Sequence, residues 1–550
     1  MCKVLMLVVV LSIGILGQET RNASGGELKP EERAYDVKHY GLSLKIDPEA
    51  QTIEGTLTMR ATVVEEASAV ILDLDHHLEV RSVTVGGKAV KHDHKEGEIR
   101  IPLGRKFKVD ESLEVTVAYG GKPRVAPMPP WQGGFTWSKT KTGEHWIATS
   151  CQGEGADLWW PCKDHPSDKP ESMDLAITVP KGLYVAANGV LDGRDVAEDR
   201  STETFRWNIR VPISNYCVAL NIAPYVVLGA EYKSTSGDTI PAMFFCLPES
   251  EERAAKAFPH FLNDLKSMEE LCGPYPFRSE KYGIVETPHL GMEHQTIIAY
   301  GNKYRLLKDG YDWLHHHELA HEWWGNLVTC RDWKDMWIHE GIGTYMQALH
   351  LERLRGRAGY LVEMASKRSF SNRRAVAPKV PTDSHQIYFQ GGGGNDIYNK
   401  GSWIMHTLRW VMEDEKFFIA LRRMAYPDPK MEEIRDGSCA RFSDTEEIRS
   451  IAEKHYGHEL GWFFDVYLYQ PALPKLEQEL ASSVLKLKWV TPNNLPFPMS
   501  VPVVINGEMK RVPMPKGVGQ VAIPEGATYE VDPDQLILKE EGPRRRNRGR

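Results

Sequence analysis

The sequence predicts a multidomain α+β protein: an N-terminal β-sheet domain, a mainly helical domain, and a small C-terminal β-sandwich. Three observations carry this. The chain has 550 residues, more than one hydrophobic core normally serves. Its first third alternates apolar and polar residues with the period of a strand. Its middle repeats apolar residues at spacings of three and four, as a helix does, before strand-like alternation returns near the end.

The elements follow in order. The opening "MCKVLMLVVVLSIGILGQET" sets one lysine before an apolar run from Val4 to Leu16, with the small Gly17 behind it. That is the pattern of a secretory signal peptide over 1–17. The run is shorter than the ~20 residues of a spanning helix. Export to a periplasmic or secreted location is expected, with no stable membrane span. Residues 18–31 are polar and read as a loose linker. Over 32–228, "HYGLSLKIDP", "IEGTLTMRATVV", "LEVTVAYGG", "MDLAITVP" and "TFRWNIRVPI" read as strands, separated by turns such as "VGGK". The period changes at "ESEERAAKAFPHFLNDLKSMEELCG", an amphipathic helix, and helices dominate the region 229–470. The glycine run "GGGGND" interrupts them as a flexible loop. Beyond "YQPALP", the stretches "SSVLKLKWV", "SVPVVI" and "QVAIPE" form the sandwich over 471–540. Residues 541–550 are a basic, solvated tail.

Composition is that of a globular protein, 41% hydrophobic and 26% charged. A net charge of −8 argues against a general nucleic-acid binder. Of the eight cysteines, Cys2 lies in the signal segment, which leaves an odd number. No disulfide scaffold is expected at this size.

The chemistry is concentrated in "HHHELAHEWWGN", His315 to Asn326. His317 and His321 are four apart, one turn apart on one helix face. With Glu318 they make HExxH, two imidazoles for zinc and a glutamate beside it as base. His315 and His316 have no histidine four residues on. HExxH alone also arises by chance, so the third ligand decides. Glu322 points about 100° away around the helix. Asp332 and Asp335 lie in a loop, "CRDWKDM". Glu340 is the lone carboxylate of the apolar, helical stretch "MWIHEGIGTYMQALH". Buried there, it needs a partner, and a zinc ion on the neighbouring helix would serve. His339, its neighbour, points elsewhere.

HELAH, followed by Glu340 in a W-x-x-E-G setting, resembles the aminopeptidase N / leukotriene hydrolase family of zinc peptidases, the gluzincin aminopeptidases. "HELAHEWWGN" is similar to that family's HELAHQWFGN signature. The resemblance implies a thermolysin-like catalytic domain and one zinc ion held by His317, His321 and Glu340, with Glu318 as base. "LGMEH", Leu290 to His294, resembles the family's G-x-M-E-N strand, with Leu290 and His294 as departures. It implies that Glu293 pairs with the substrate's α-ammonium, that Gly291 lets a peptide approach the strand, and that Met292 helps line the pocket. "SCQGEGADLWWPCKDHP" resembles another family segment and implies that Gln152 binds the same amine, with Glu154 as an alternative. "DIYNKG" resembles the family's Y-x-K-G motif, which makes Tyr398 the oxyanion donor. Tyr388 and Tyr345 lack that context.

The resemblance runs from "YDVKHYGLSLKID" to "LGWFFDVYLYQPALP", and the closing β segment is similar to the small third domain of some members. The helical C-terminal domain that closes the cleft in others is not seen after it. This implies a more open site, or one closed by another subunit. The expected function is removal of N-terminal residues from peptides that carry a free amino end. Epoxide hydrolysis, endopeptidase action, or a non-catalytic zinc-bound interaction module are the alternatives.

Overall fold

The structure, a computed structural model, describes residues 23–389 and 394–541. The signal segment 1–17, most of the glycine run and nearly all of the basic tail lie outside the described residues.

The first domain is built on Tyr35–Asp47. This strand pairs antiparallel with Thr52–Val63 and parallel with Ser172–Pro180. They are the centre of an eight-stranded sheet ordered 190–196, 202–209, 172–180, 35–47, 52–63, 112–121, 78–85 and 88–90. The period-two pattern is realised as burial: Leu42, Leu44 and Ile46 face the core while Ser43, Lys45 and Asp47 do not. A four-stranded sheet, ordered 184–187, 220–223, 145–150 and 134–139, carries the strand His145–Ser150. That strand runs directly into Cys151 and Gln152 and so delivers them toward the second domain.

The second domain opens with a five-stranded sheet ordered 226–233, 239–246, 282–286, 298–300 and 291–292. Val226–Lys233 pairs antiparallel with Thr239–Cys246 and runs through the junction expected at 228. The change of sheet therefore falls between Ala223 and Val226. Hydrogen bonding, rather than residue pattern, sets that boundary. Gly291–Met292 is the far edge strand of this sheet.

Four helices position the site. The helix α1, Glu251–Cys272, is the amphipathic segment read from sequence. The short α2, Trp313–Ala320, is capped by Asp312, whose carboxylate accepts from the backbone of Leu314 and His315. The helix α3, Trp337–Ser366, is kinked at Gly356, where φ is +67°. The helix α4, Gly401–Met412, follows a π-helical turn, Asp396–Lys400. The helices α3 and α4 meet glycine to glycine. A Cβ on Gly341 would stand 2.9 Å from the Gly401 Cα, and one on Gly401 would stand 2.8 Å from the Gly341 Cα. Only backbone fits at this crossing, and it draws Tyr398 up to Glu340.

The linker expected over 18–31 is not loose in its described part. Ser24 is buried; its backbone N–H donates to Ser384 Oγ (3.0 Å) and its hydroxyl accepts from Trp333 Nε1 (3.2 Å). Gly25 bridges to Asp383 and donates to the Asp164 carbonyl (3.2 Å). A polar segment can thus be ordered by backbone bonds that its composition does not announce.

The chain closes with two three-stranded antiparallel sheets, ordered 475–481, 484–490, 518–522 and 508–512, 501–505, 529–531. They back onto α4: Trp410 Nε1 donates to the Ser500 carbonyl (3.2 Å), and Leu538 N to Thr407 Oγ1 (2.9 Å). All seven described cysteines are buried and unpaired. Among the described residues no helix is long and apolar enough to cross a membrane.

The glycine crossing gives a direct prediction. Gly401→Ala forces α3 and α4 apart, at the ~1–3 kcal/mol typical of overpacking. Thermal unfolding should fall by several degrees and peptide turnover should fall with it. An unchanged melting temperature and turnover would show that the helices need no backbone contact.

Candidate active site

The helix α2 is apolar on the side that packs on the sheet and presents His317 and His321 on another. His321 Nδ1 lies 2.8 Å from the Trp324 carbonyl. A carbonyl only accepts, so Nδ1 carries a proton and Nε2 is the atom turned toward the centre of the site. The two Nε2 atoms are 3.3 Å apart. Glu340 Oε2 stands 3.5 Å from each of them. Ligand atoms about 2.0–2.1 Å from a tetrahedral zinc lie roughly 3.3–3.4 Å from one another, so this triangle has the dimensions of three zinc ligands.

The bonding of Glu340 supports the same reading. Its Oε1 accepts from Gln152 Nε2 (2.8 Å) and from the Tyr388 hydroxyl (3.0 Å). Its Oε2 is buried without a hydrogen-bond donor. An orphaned carboxylate oxygen facing two imidazole nitrogens in a buried site calls for a cation. The electrostatics agree. Burial alone would depress the His321 imidazole, yet Glu340 and Glu293 outweigh it and raise it to about 10. Burial would raise Glu340, but the imidazoles hold it well below the usual carboxylate range. The site is drawn toward a positive charge at its centre, and zinc, with two imidazoles and a carboxylate, fits it.

Glu318 lies on the same helix, and burial together with Glu293 pushes its carboxyl well above the ordinary range. Gly291 makes room for it: a Cβ there would stand 2.5 Å from Glu318 Oε1 and 2.6 Å from Leu314 Cδ1. Space for the base is thus one requirement behind this glycine. Glu293 accepts from Gln152 Nε2 (2.5 Å) and from the Tyr216 hydroxyl (3.2 Å). Its carbonyl accepts from Asn326 Nδ2 (3.0 Å), which ties the amine motif to the end of HELAHEWWGN. The Gln152 amide nitrogen is spent on Glu293 and Glu340, so its oxygen is the atom left to accept. Tyr398 sits in the π-helical turn, its ring 6.1 Å from that of His317. Such turns recur at functional sites.

Gln152, Gly291, Glu293, His317, Glu318, His321, Glu340 and Tyr398 all line one cleft of about 520 Å³. Met292 does not; it is buried beside the cleft, and Leu290, Pro130, Trp131 and Phe389 supply apolar wall instead. Alternation along the strand explains this, since Met292 faces opposite its neighbours. Glu154 is a structural residue: it accepts from Arg124 Nη2 (3.0 Å) and the Gly133 backbone (2.7 Å). Glu322 accepts from the Thr296 backbone (2.9 Å), away from the triangle. His315 stacks on Phe261 and meets Asp264 (2.9 Å). His339 accepts from the Cys330 backbone (2.9 Å). Asp332 caps a turn at Lys334, and Asp335 accepts from Thr445.

Sequence reading set Tyr388 aside as a phenol donor and did not see its contact with Glu340. It stands outside any motif, yet it steadies Glu340 from the helix Ser384–Tyr388, which Ser24 in turn holds. Only the fold brings these segments together.

Fold and site define a single-zinc metallopeptidase whose cleft is lined by Glu293, Glu318 and Glu340. Two family models match the chain: the peptidase M1 N-terminal domain over 36–217 and the peptidase family M1 domain over 272–426. The protein belongs to peptidase family M1. It is 23% identical over 494 residues to a leukotriene A-4 hydrolase of Xenopus laevis, covering 83% of this chain and 76% of that one. It is 26% identical over 483 residues to leucine aminopeptidase 2 of Emericella nidulans, covering 80% and 72%. Its fold matches an M1 zinc metallopeptidase of Deinococcus radiodurans, solved with a Tyr-Ser-Ala substrate, at a TM-score of 0.65 and 22% identity, covering 80% and 95%.

Three variants test the metal set. Glu340→Ala should lose zinc on dialysis. Glu318→Ala should keep it and lose turnover, because the base is not a ligand. Tyr388→Phe should weaken retention about 10–100-fold, as removal of an outer partner of a ligand does. Metal analysis after dialysis reads all three, and full zinc occupancy in Glu340→Ala would remove it from the ligand set.

Proposed function

We infer that the protein is a zinc-dependent aminopeptidase and that the residues of the cleft divide its work as follows. Glu293, supported by Gln152, pairs with the substrate's α-ammonium. What supports this is the place of Glu293, a buried carboxylate in the cleft whose oxygen lies within 4.8 Å of ligand atoms of Glu318 and His321, since a carboxylate fixed there favours a chain that begins there. It also disfavours internal cleavage. When bound, zinc supplies Lewis-acid polarisation of the scissile carbonyl and activation of water. Glu318 takes the proton of the attacking water and hands it to the leaving amine. Tyr398 donates to the oxygen on which negative charge develops. Tyr388 and Gln152 hold Glu340 in place through its second oxygen. Leu290, Pro130, Trp131 and Phe389 surround the substrate's first side chain.

One kinetic panel tests these roles. Tyr398→Phe should lower kcat about 10²–10³-fold with a smaller change in KM. Glu293→Ala should lower kcat/KM on free-amine peptides at least about tenfold, from the loss of a buried charge partner. N-acetylated peptides have no ammonium, so the native enzyme should cleave them poorly. Equal native rates on matched free and acetylated peptides would contradict the aminopeptidase reading and favour an endopeptidase.

We propose further that the chain is exported, supported by the apolar run Val4–Leu16 behind Lys3. Mass spectrometry of the mature N-terminus should find a start near Gln18, and an intact Met1 on protein outside the cytoplasm would contradict cleavage. We read the two closing sheets as a β-sandwich that backs α4. An experimental structure with those sheets side by side would refute it.

A further inference from the structure

The cleft has a second end. Glu293 lies near the start of α3, for its carbonyl is held by Asn326, and the adjoining Gly325 packs close to His339. In the other direction α3 presents Thr344 and Gln347 to the same cleft, with Lys367 from just beyond the helix. Among the described residues lining the cleft, Lys367 is the only lysine or arginine. Glu293 is thus anchored beside the start of α3, while Gln347 and Lys367 reach the cleft from positions further along the chain than Glu340.

Lys367 is held ready rather than spent. Its Nζ donates to Gln347 Oε1 (3.1 Å) and lies 3.2 Å from Glu363, one turn back. Gln347 is itself fixed, its Nε2 donating to the Trp313 carbonyl (2.8 Å) and the Tyr311 hydroxyl (3.3 Å). An ammonium has three donors, so one is left for a ligand in the cleft. The side chain is 23% exposed. It is sheltered enough for an ion pair to count, yet open enough to be reached.

We propose that Lys367 binds the C-terminal carboxylate of a short peptide whose amino end Glu293 holds, which makes tri- and tetrapeptides the preferred substrates. This rests on the aminopeptidase reading above. Gln347 is two turns beyond Glu340, roughly 10 Å along the axis at ~1.5 Å per residue. An extended peptide rises about 3.4 Å per residue. A chain that ends two or three residues past the cleaved bond spans that distance, and a dipeptide falls short. Glu363 opposes a second carboxylate there. Its charge is already shared with Lys367, and the ligand's carboxylate meets the donor on the other side.

The test uses the full-length zinc enzyme and Ala-Ala-Ala, as free acid and as C-terminal amide, on the native protein, Lys367→Gln and Lys367→Arg. The native enzyme should favour the free acid about tenfold in kcat/KM, the size of a charge-assisted hydrogen bond. The ratio should fall toward one in Lys367→Gln and recover in Lys367→Arg. A native ratio near one overturns the proposal, while turnover of the amide in the same assay keeps the aminopeptidase reading intact. A ratio that survives in Lys367→Gln overturns it too, because the carboxylate is then read elsewhere. An amidated Ala-Ala-Glu tells a terminal from a side-chain carboxylate. Preference for it over amidated Ala-Ala-Gln, with none for free acids, would assign Lys367 to acidic side chains and overturn the chain-end role.

Discussion

A buried carboxylate with one oxygen unclaimed is the constraint on which this site depends. Glu340 is almost fully buried in an apolar helix, with Oε1 saturated by Gln152 and Tyr388 and Oε2 facing two imidazoles. Burying such a group without a counter-charge is costly. The surrounding structure resolves that cost by setting both Nε2 atoms at distances suited to one dication. Each partner of Glu340 brings in a different part of the chain: Gln152 from the N-terminal domain, Tyr388 from a short helix, and the histidines from α2. The metal site is therefore also a junction between domains.

The geometry around that junction is set by missing side chains. Gly291 leaves the room that Glu318 fills, and Gly341 and Gly401 let two helices touch at the backbone. In both cases a methyl group would meet atoms at or below 2.9 Å. Tight packing transmits such a displacement rather than absorbing it. The glycines thus fix where the Glu318 carboxylate and the turn that carries Tyr398 stand.

What could be read from sequence was whatever is local or periodic. His317 and His321 follow from one helical turn, and Glu340 from being the lone carboxylate in the apolar stretch 336–350. The order of strand-rich and helical regions follows from the change of period. What could not be read depends on contacts distant in sequence. Tyr388 sits in no motif and becomes functional only because its helix packs beside α3. Ser24 belongs to a polar segment that looks like a linker until its backbone bonds are seen. The junction near 228 was misplaced because strand pairing decides it. Met292 was misjudged for a similar reason, since residue type suggested a role that side-chain direction does not allow, while Glu154, only an alternative to Gln152, pairs with Arg124.

Charge balance then links binding to chemistry. Ligating oxygens or nitrogens of Glu293, Glu318 and His321 all lie within 4.8 Å of one another, beside the triangle that includes Glu340. Three carboxylates in so small and dry a space repel one another strongly. A dication at the triangle offsets that repulsion. On the function proposed above, the substrate's α-ammonium supplies the next positive charge and Glu293 receives it. A peptide without that charge would then bury Glu293 uncompensated, so on that proposal the carboxylates that hold the metal also select which end of a peptide can enter.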